Sequence, residues 1–206
     1  MNHAVTPIIP ANKGCKLPPE PLTQDEVKSL LRTCSQRAVS GVRNRALIVV
    51  LYRAGLRISE ALALMQKDLD AKAGTVRVLH GKGDKSRVVG LDAGAWAIVQ
   101  LWLDRRAAAG ISSRAPVFCT LQGKSMKTAY VRKLLPRLAR KAGIERRVHA
   151  HGLRHTHAYE LACEGTPIHI IQSQLGHSNT ATTARYISHL NPSMVIETMK
   201  SRTWSL

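Results

Sequence analysis

Apolar residues recur at helical spacing over most of the chain and switch to a two-residue alternation only around positions 75–91. Thr23 followed by Glu26 has the form of a capping box, and Val27, Leu30 and Leu31 then make a stripe that predicts a helix as far as Cys34. The run Ala46-Leu47-Ile48-Val49-Val50-Leu51 is apolar on nearly every side. It predicts a central, buried helix from Val42 to Ala54, with Gly55 placed to end it. A short helix is expected from Ile58 to Met65. Thr75 to Leu79 and Ser86 to Leu91 are rich in β-branched residues and flank His80-Gly81-Lys82-Gly83-Asp84-Lys85, which predicts a β-hairpin with a basic tip. Further helices are expected over Ala93–Ala109, Met126–Ala142, His155–Glu164, Ile168–Leu175 and Thr180–Ile187. Asn191-Pro192 opens a last one through Met199, and Pro116–Cys119 reads as one more short strand. The expected fold class is α+β, mainly α, with a small antiparallel sheet on one side.

Composition narrows the function. The 206 residues hold 31 Lys and Arg against 13 Asp and Glu, a formal charge of +18. So much charge on one domain repels itself unless the partner is a polyanion, and nucleic acid fits best. Between Lys124 and Arg147 nine basic residues face a single acid, Glu145, which suggests a surface that follows phosphates. Eight aromatic residues are too few for a binder that stacks single-stranded bases. Cys15, Cys34, Cys119 and Cys163 form no CxxC pair and read as reduced thiols. The sequence has neither a membrane-length apolar stretch nor a signal-type core, so no membrane partner and a cytoplasmic location are expected.

Four segments carry polar groups that packing alone does not call for. Arg57 lies between Leu56 and Ile58 at a predicted helix start, where anions are favoured, with Glu60 one turn on to orient it. Lys82 sits between two glycines at the hairpin tip, able to approach a ligand closely. His149, His151, His155 and His157 crowd nine residues. They lack the glutamate of an HExxH motif and any nearby Cys or carboxylate before Glu160, which argues against a metal. His151 and Arg154 instead fall on one helix face. Leu175-Gly176-His177 is followed nine residues later by Tyr186, a poor nucleophile unless cations and a base surround it. Two arginines, a lysine, two histidines and a tyrosine suit attack on a phosphodiester without a metal ion or other cofactor.

In order and spacing these boxes resemble the tyrosine recombinase (phage integrase) family. Gly55-Leu56-Arg57-Ile58-Ser59-Glu60 is similar to its first arginine box and Gly81-Lys82-Gly83-Asp84-Lys85 to its lysine hairpin. His151-Gly152-Leu153-Arg154-His155 is similar to its HxLRH box and Leu175-Gly176-His177 to its LGH box, with Tyr186 where the nucleophile falls. The resemblance implies a site-specific DNA recombinase working through a 3′-phosphotyrosine. Tyr186 would attack, Arg57 and Arg154 would bind the non-bridging oxygens, and Lys82 would protonate the leaving 5′-oxygen. His151 and His177 would hydrogen-bond the phosphate, and Glu60 would support the site. Lys85, Arg87, Lys124, Lys127, Arg132 and Lys133 are the expected DNA contacts.

The implied organisation is an arm over residues 1–21, a catalytic domain over 22–190, and a C-terminal helix and tail over 191–206 for exchange between subunits. Residues 1–21 hold five of the nine prolines and are too few for the N-terminal clamping domain common in the family; fimbrial-switch-type invertases also lack it. The implied partners are double-stranded DNA, further copies of the chain in a tetrameric synapse, and accessory DNA-bending proteins, with a place at the nucleoid. A type IB topoisomerase-like nicking and resealing activity and a catalytically silent DNA-binding regulator remain alternatives, with a metal-binding histidine protein more distant.

Overall fold

The computed structural model describes residues 21–79, 86–176 and 199–200. Helices α1 (Gln24–Arg32), α2 (Val39–Arg53) and α3 (Ile58–Ala63) lead through a 3-10 turn (Gln66–Asp68) to strands β1 (Leu69–Asp70), β2 (Thr75–Val78) and β3 (Arg87–Gly90). Helices α4 (Ala93–Ala108), α5 (Thr128–Lys141), α6 (Ala150–Cys163) and α7 (Ile168–Leu175) follow. The fold is the expected one, mainly helical with a small antiparallel sheet. Among the described residues the sheet has three strands in the order β1-β2-β3, one more than the hairpin the pattern suggested. Thr75 pairs with Gly90 and Val78 with Arg87, so β3 is an edge strand. No described helix is long and apolar enough to cross a membrane.

α1 begins with the predicted box: Glu26 N–H donates to Thr23 Oγ1 at 3.2 Å, and Thr23 N–H donates to Glu26 Oε2 at 2.7 Å. α2 is the central helix, with Ala46 to Leu51 all buried, packed chiefly on α4 and α6. A polar clasp at its C-terminal end fixes these neighbours. The Tyr52 hydroxyl donates to the Glu160 carboxylate of α6 at 2.5 Å. Arg53 Nε donates at 2.7 Å to Asp92, whose other oxygen caps α4 by accepting from Ala95 N–H at 3.0 Å.

Two expectations shift. Pro116–Cys119 forms no strand, only a single antiparallel bridge from Cys119 to Ser125. Its backbone is satisfied elsewhere: Val117 N–H donates to Leu64 O at 2.7 Å, and Val117 O accepts from the Trp102 indole at 2.8 Å. α6 begins at Ala150 rather than His155, because His149 is the extended residue that precedes the helix and Gly152 is accommodated within its first turn. His151 and Arg154 therefore do share one helix. The helix expected over 180–187 lies outside the described residues. So does the one opened by Asn191-Pro192 except for Met199 and Lys200, which are helical.

The chain leaves α2 through Gly55, whose φ of 61° favours glycine. A Cβ there would lie 2.7 Å from Leu175 Cδ2 and 2.8 Å from His157 Cδ2, so the ends of α2 and α7 and the middle of α6 meet at this point. His157 is 4% exposed, and neither ring nitrogen has a hydrogen-bond partner among the described residues. Burial, aided by the charges of Arg53 and Arg154, pushes its pKa down to about 4. The unfolded chain binds this proton near the ordinary 6.5, so the neutral ring favours folding above that pH, and the advantage is lost as pH falls from 6.5 towards 4. Urea unfolding at pH 7 and pH 5 should show a marked loss at the lower pH, and His157→Leu should reduce that loss. An equal loss in both proteins would contradict the assignment.

Candidate active site

Arg57 ends the turn after Gly55 and stands as N-cap of α3. Its neighbour Leu56 is fully buried, which anchors the backbone. Glu60, in the first turn of the same helix, folds back so that Oε2 accepts from Arg57 N–H at 2.8 Å and Oε1 accepts from Arg57 Nη1 at 2.6 Å. The Glu60 side chain is only 1% exposed. Arg87 at the start of β3 reaches the same carboxylate as a two-pronged pair, Nη1 to Oε1 at 2.9 Å and Nη2 to Oε2 at 2.8 Å. Arg154, one turn after His151 on α6, brings Nη1 to 3.9 Å from Oε2.

The other side of this cluster is the C-terminal end of α7, which closes at Gly176 with φ 64°. Three successive carbonyls there accept from the three arginines. Gln174 O accepts from Arg87 Nε at 3.4 Å, Leu175 O from Arg154 Nη2 at 2.5 Å, and Gly176 O from Arg57 Nη2 at 3.3 Å. A helix C-terminus carries partial negative charge, so guanidinium groups are favoured there. Arg154 Nη1 also donates to Gly55 O at 2.6 Å, tying the cluster to the point where α2, α6 and α7 meet. Three guanidiniums against one carboxylate leave a formal excess of two positive charges. Exposure falls from 29% for Arg57 through 12% for Arg87 to 3% for Arg154, so the excess faces outward chiefly through Arg57.

His151 is exposed at the start of α6. Partial desolvation of the ring by its neighbours, then the charges of Arg154, His149 and Arg57, lower its pKa. The ring is thus neutral at pH 7 and able to take a proton beside a cationic patch. Among the described residues no cluster of three His, Cys, Asp or Glu side chains is placed to hold a metal ion. The expected Lys82, Lys85, His177 and Tyr186 lie outside the described residues.

Arg87, expected to contact DNA, instead has both terminal nitrogens on Glu60 and is mostly buried. The strand alternation carried that signal, since Arg87 shares its face with the buried Val89 and Leu91 while Val88 points out. Lys124, Lys127, Arg132 and Lys133 are all exposed on and just before α5. Of the nine basic residues from Lys124 to Arg147, Arg146 alone is turned to structural use, pairing with Glu26 at 2.9 Å and donating to Pro21 O at 2.8 Å. Sequence reading also missed Arg43. It is buried under a basin of about 460 Å³ beside α5, with Nη1 on Cys119 O at 3.0 Å and Nη2 on the Tyr130 hydroxyl at 2.9 Å. The available clue was an arginine one helical turn before the apolar run of α2.

The model of the phage integrase family matches residues 20–192. The tyrosine recombinase XerD of Ralstonia nicotianae is 35% identical over 170 residues, covering 82% of this chain and 55% of the relative. That of Bifidobacterium longum is 33% identical, covering 95% of this chain and 68% of the relative. The chain therefore spans about half to two thirds of the length of such relatives. Among solved structures, XerA recombinase aligns with a TM-score of 0.77 at 29% identity, over 95% of this chain and 68% of that one. XerH recombinase in a post-cleavage complex with its difH substrate aligns at 0.73 with 31% identity, over 90% and 54%.

The Glu60 carboxyl is raised by burial but lowered more by its hydrogen bonds from Arg87 and Arg57, which bring it to about 2. The folded value lies below the ordinary 4.5, so the cluster's contribution to stability is complete above that pH and is lost as pH falls towards 2. Carboxyl-carbon NMR of Glu60 should show it still ionised at roughly pH 3.5 in the folded protein. A midpoint at 4.5 or above would contradict the three-arginine environment.

Proposed function

Because this chain belongs to the phage integrase family, we propose that it is a site-specific DNA recombinase that cuts and rejoins duplex strands through a phosphotyrosine at Tyr186. The observation that carries this reading is the convergence of Arg57 and Arg154 on one carboxylate, with a neutral His151 one turn before Arg154. In the reaction, the Tyr186 oxygen bonds to phosphorus as the bond from phosphorus to the 5′-oxygen breaks. His151 takes the phenolic proton and Lys82 gives one to the leaving oxygen. Arg57 and Arg154 offset the charge that builds on the non-bridging oxygens, and His177 adds a hydrogen bond. The phosphotyrosine conserves the energy of the broken bond, so the reverse attack by a 5′-hydroxyl rejoins the strand with no metal and no nucleotide cofactor.

Lys124, Lys127, Arg132 and Lys133, with Lys85, are the proposed duplex contacts. Arg87 acts on the site through Glu60 instead. Residues 22–190 form the catalytic unit, and residues 191–206 dock on an adjacent copy as four chains assemble on paired sites at the nucleoid, with DNA-bending proteins as accessories. Tyr159 is a poor substitute nucleophile. The nearby Cys163 thiol raises its pKa.

Tyr186→Phe removes a single oxygen and should abolish the covalent adduct on a nicked trapping substrate while duplex binding stays within about twofold. A wild-type yield of adduct from this variant would refute the assignment. Strand exchange between two duplexes by the wild-type chain would separate recombination from simple nicking and resealing.

A further inference from the structure

The three carbonyls that aim the arginines belong to the last turn of a helix of eight residues, Ile168–Leu175. So short a helix is not rigidly placed by its own backbone bonds. Its buried residues, Ile171 and Leu175, pack with Ala158 and Ala162 of α6, which fixes one side only. On the side facing β3, in addition to the arginine contacts to its carbonyls, the helix is held by the side chain of Gln174. Gln174 Oε1 accepts from Gly90 N–H at 3.0 Å, and Gln174 Nε2 donates to Gly90 O at 2.9 Å. Gly90 pairs with Thr75 on the β2 side, so these bonds are made at the free edge of β3, where the amide of Gln174 stands in for a missing strand. The same Nε2 lies 3.5 Å from Ala54 O, at the end of α2.

We propose that Gln174 is a positioning residue for the arginine cluster, its side-chain amide clamping the end of α7 to β3 and so setting where Leu175 O and Gly176 O hold Arg154 and Arg57. Two contacts make the clamp specific to the site. Gln174 O accepts from Arg87 Nε, so one residue grips β3 by its side chain and the Glu60-bound arginine by its backbone. A Cβ on Gly176 would lie 2.7 Å from Arg87 Cδ, which places the end of α7 directly on that arginine. Without the clamp α7 keeps its apolar contacts with α6 and the arginine contacts to its carbonyls, but it loses both bonds to Gly90, and its last turn can shift on β3 and carry the arginines with it. Displacement of catalytic groups by about 1 Å lowers rates by up to about a hundredfold.

This inference rests on the proposed cleavage reaction and is tested there. Gln174→Met keeps the length of the side chain and loses both bonds to Gly90. The probe is a duplex selected from a random pool by binding to the wild-type chain, nicked to trap the adduct. It is made with either an ordinary scissile phosphate or a methylphosphonate. The methyl group removes one negative oxygen, so the neutral linkage asks less of the guanidiniums. Gln174→Met should slow adduct formation on the phosphate by about tenfold to a hundredfold, with duplex affinity unchanged. On the methylphosphonate it should slow it by no more than about twofold. Equal slowing on both linkages would make Gln174 a general structural residue and overturn the proposal, as would no slowing on either. If the wild-type chain forms no adduct, the proposed reaction falls and this inference with it, whereas an active wild type with an unaffected variant overturns the inference alone.

Discussion

Three guanidinium groups brought to one place in a protein repel one another, and the carboxylate of Glu60 is what allows them to stay. Arg57 and Arg87 share Oε1 and so lie within roughly 5 Å of each other, where two like charges at an effective dielectric near 20 repel by about 3 kcal/mol. Glu60 cancels one charge and gives each of these two arginines fixed geometry, while the carbonyls of α7 take up further N–H groups and hold Arg154. Neither partner would suffice. A carboxylate alone would collapse the arginines onto itself, and a helix end alone has too little charge to bind three. Together they leave a preformed positive site that needs little reorganisation when a phosphate gains charge.

The rest of the fold serves that arrangement. The cluster draws on α3, β3, α6 and the end of α7, and these meet where α2 stops at Gly55. The Tyr52–Glu160 and Arg53–Asp92 contacts hold α6 and α4 to the last turn of α2, and the Gly55 carbonyl passes that position on to Arg154. The left-handed turn at Gly55 lets Leu175 and His157 approach closely enough for the geometry to close. His157 is left buried and neutral there, beside two cations, which links stability in mild acid to the packing that supports the site.

Much of this was legible in the sequence. The capping box of α1, the apolar run of α2, the glycine after it and the alternating strands are local patterns, and each specifies its element by itself. Arg57 stands out because a charged residue between apolar neighbours needs a partner, Glu60 because it lies one turn on, and His151 and Arg154 because they fall on one face of a histidine-rich helix. What the patterns could not supply was the pairing. Arg87 reaches a carbonyl 87 positions away and Gln174 reaches a strand 84 positions away. No periodicity within one element reports on such contacts. Arg87 is expected among the DNA contacts, and its place on the inward face of β3, with both terminal nitrogens on Glu60, is set by a carboxylate 27 positions away. Gln174 gave no signal, since a half-buried glutamine on a short helix resembles any surface amide until its strand is known.

The central claim is that Glu60 holds the arginines together as one coupled unit, and a double-mutant cycle measures that directly. Glu60→Gln and Arg87→Met, singly and together, would be compared by urea unfolding at pH 7. If the carboxylate and Arg87 form a coupled pair, the double variant should be less destabilised than the sum of the single variants by about 1.5–3 kcal/mol. Additive losses, with a coupling below about 0.5 kcal/mol, would mean that Glu60 does not organise the cluster, and the account built on it would fail.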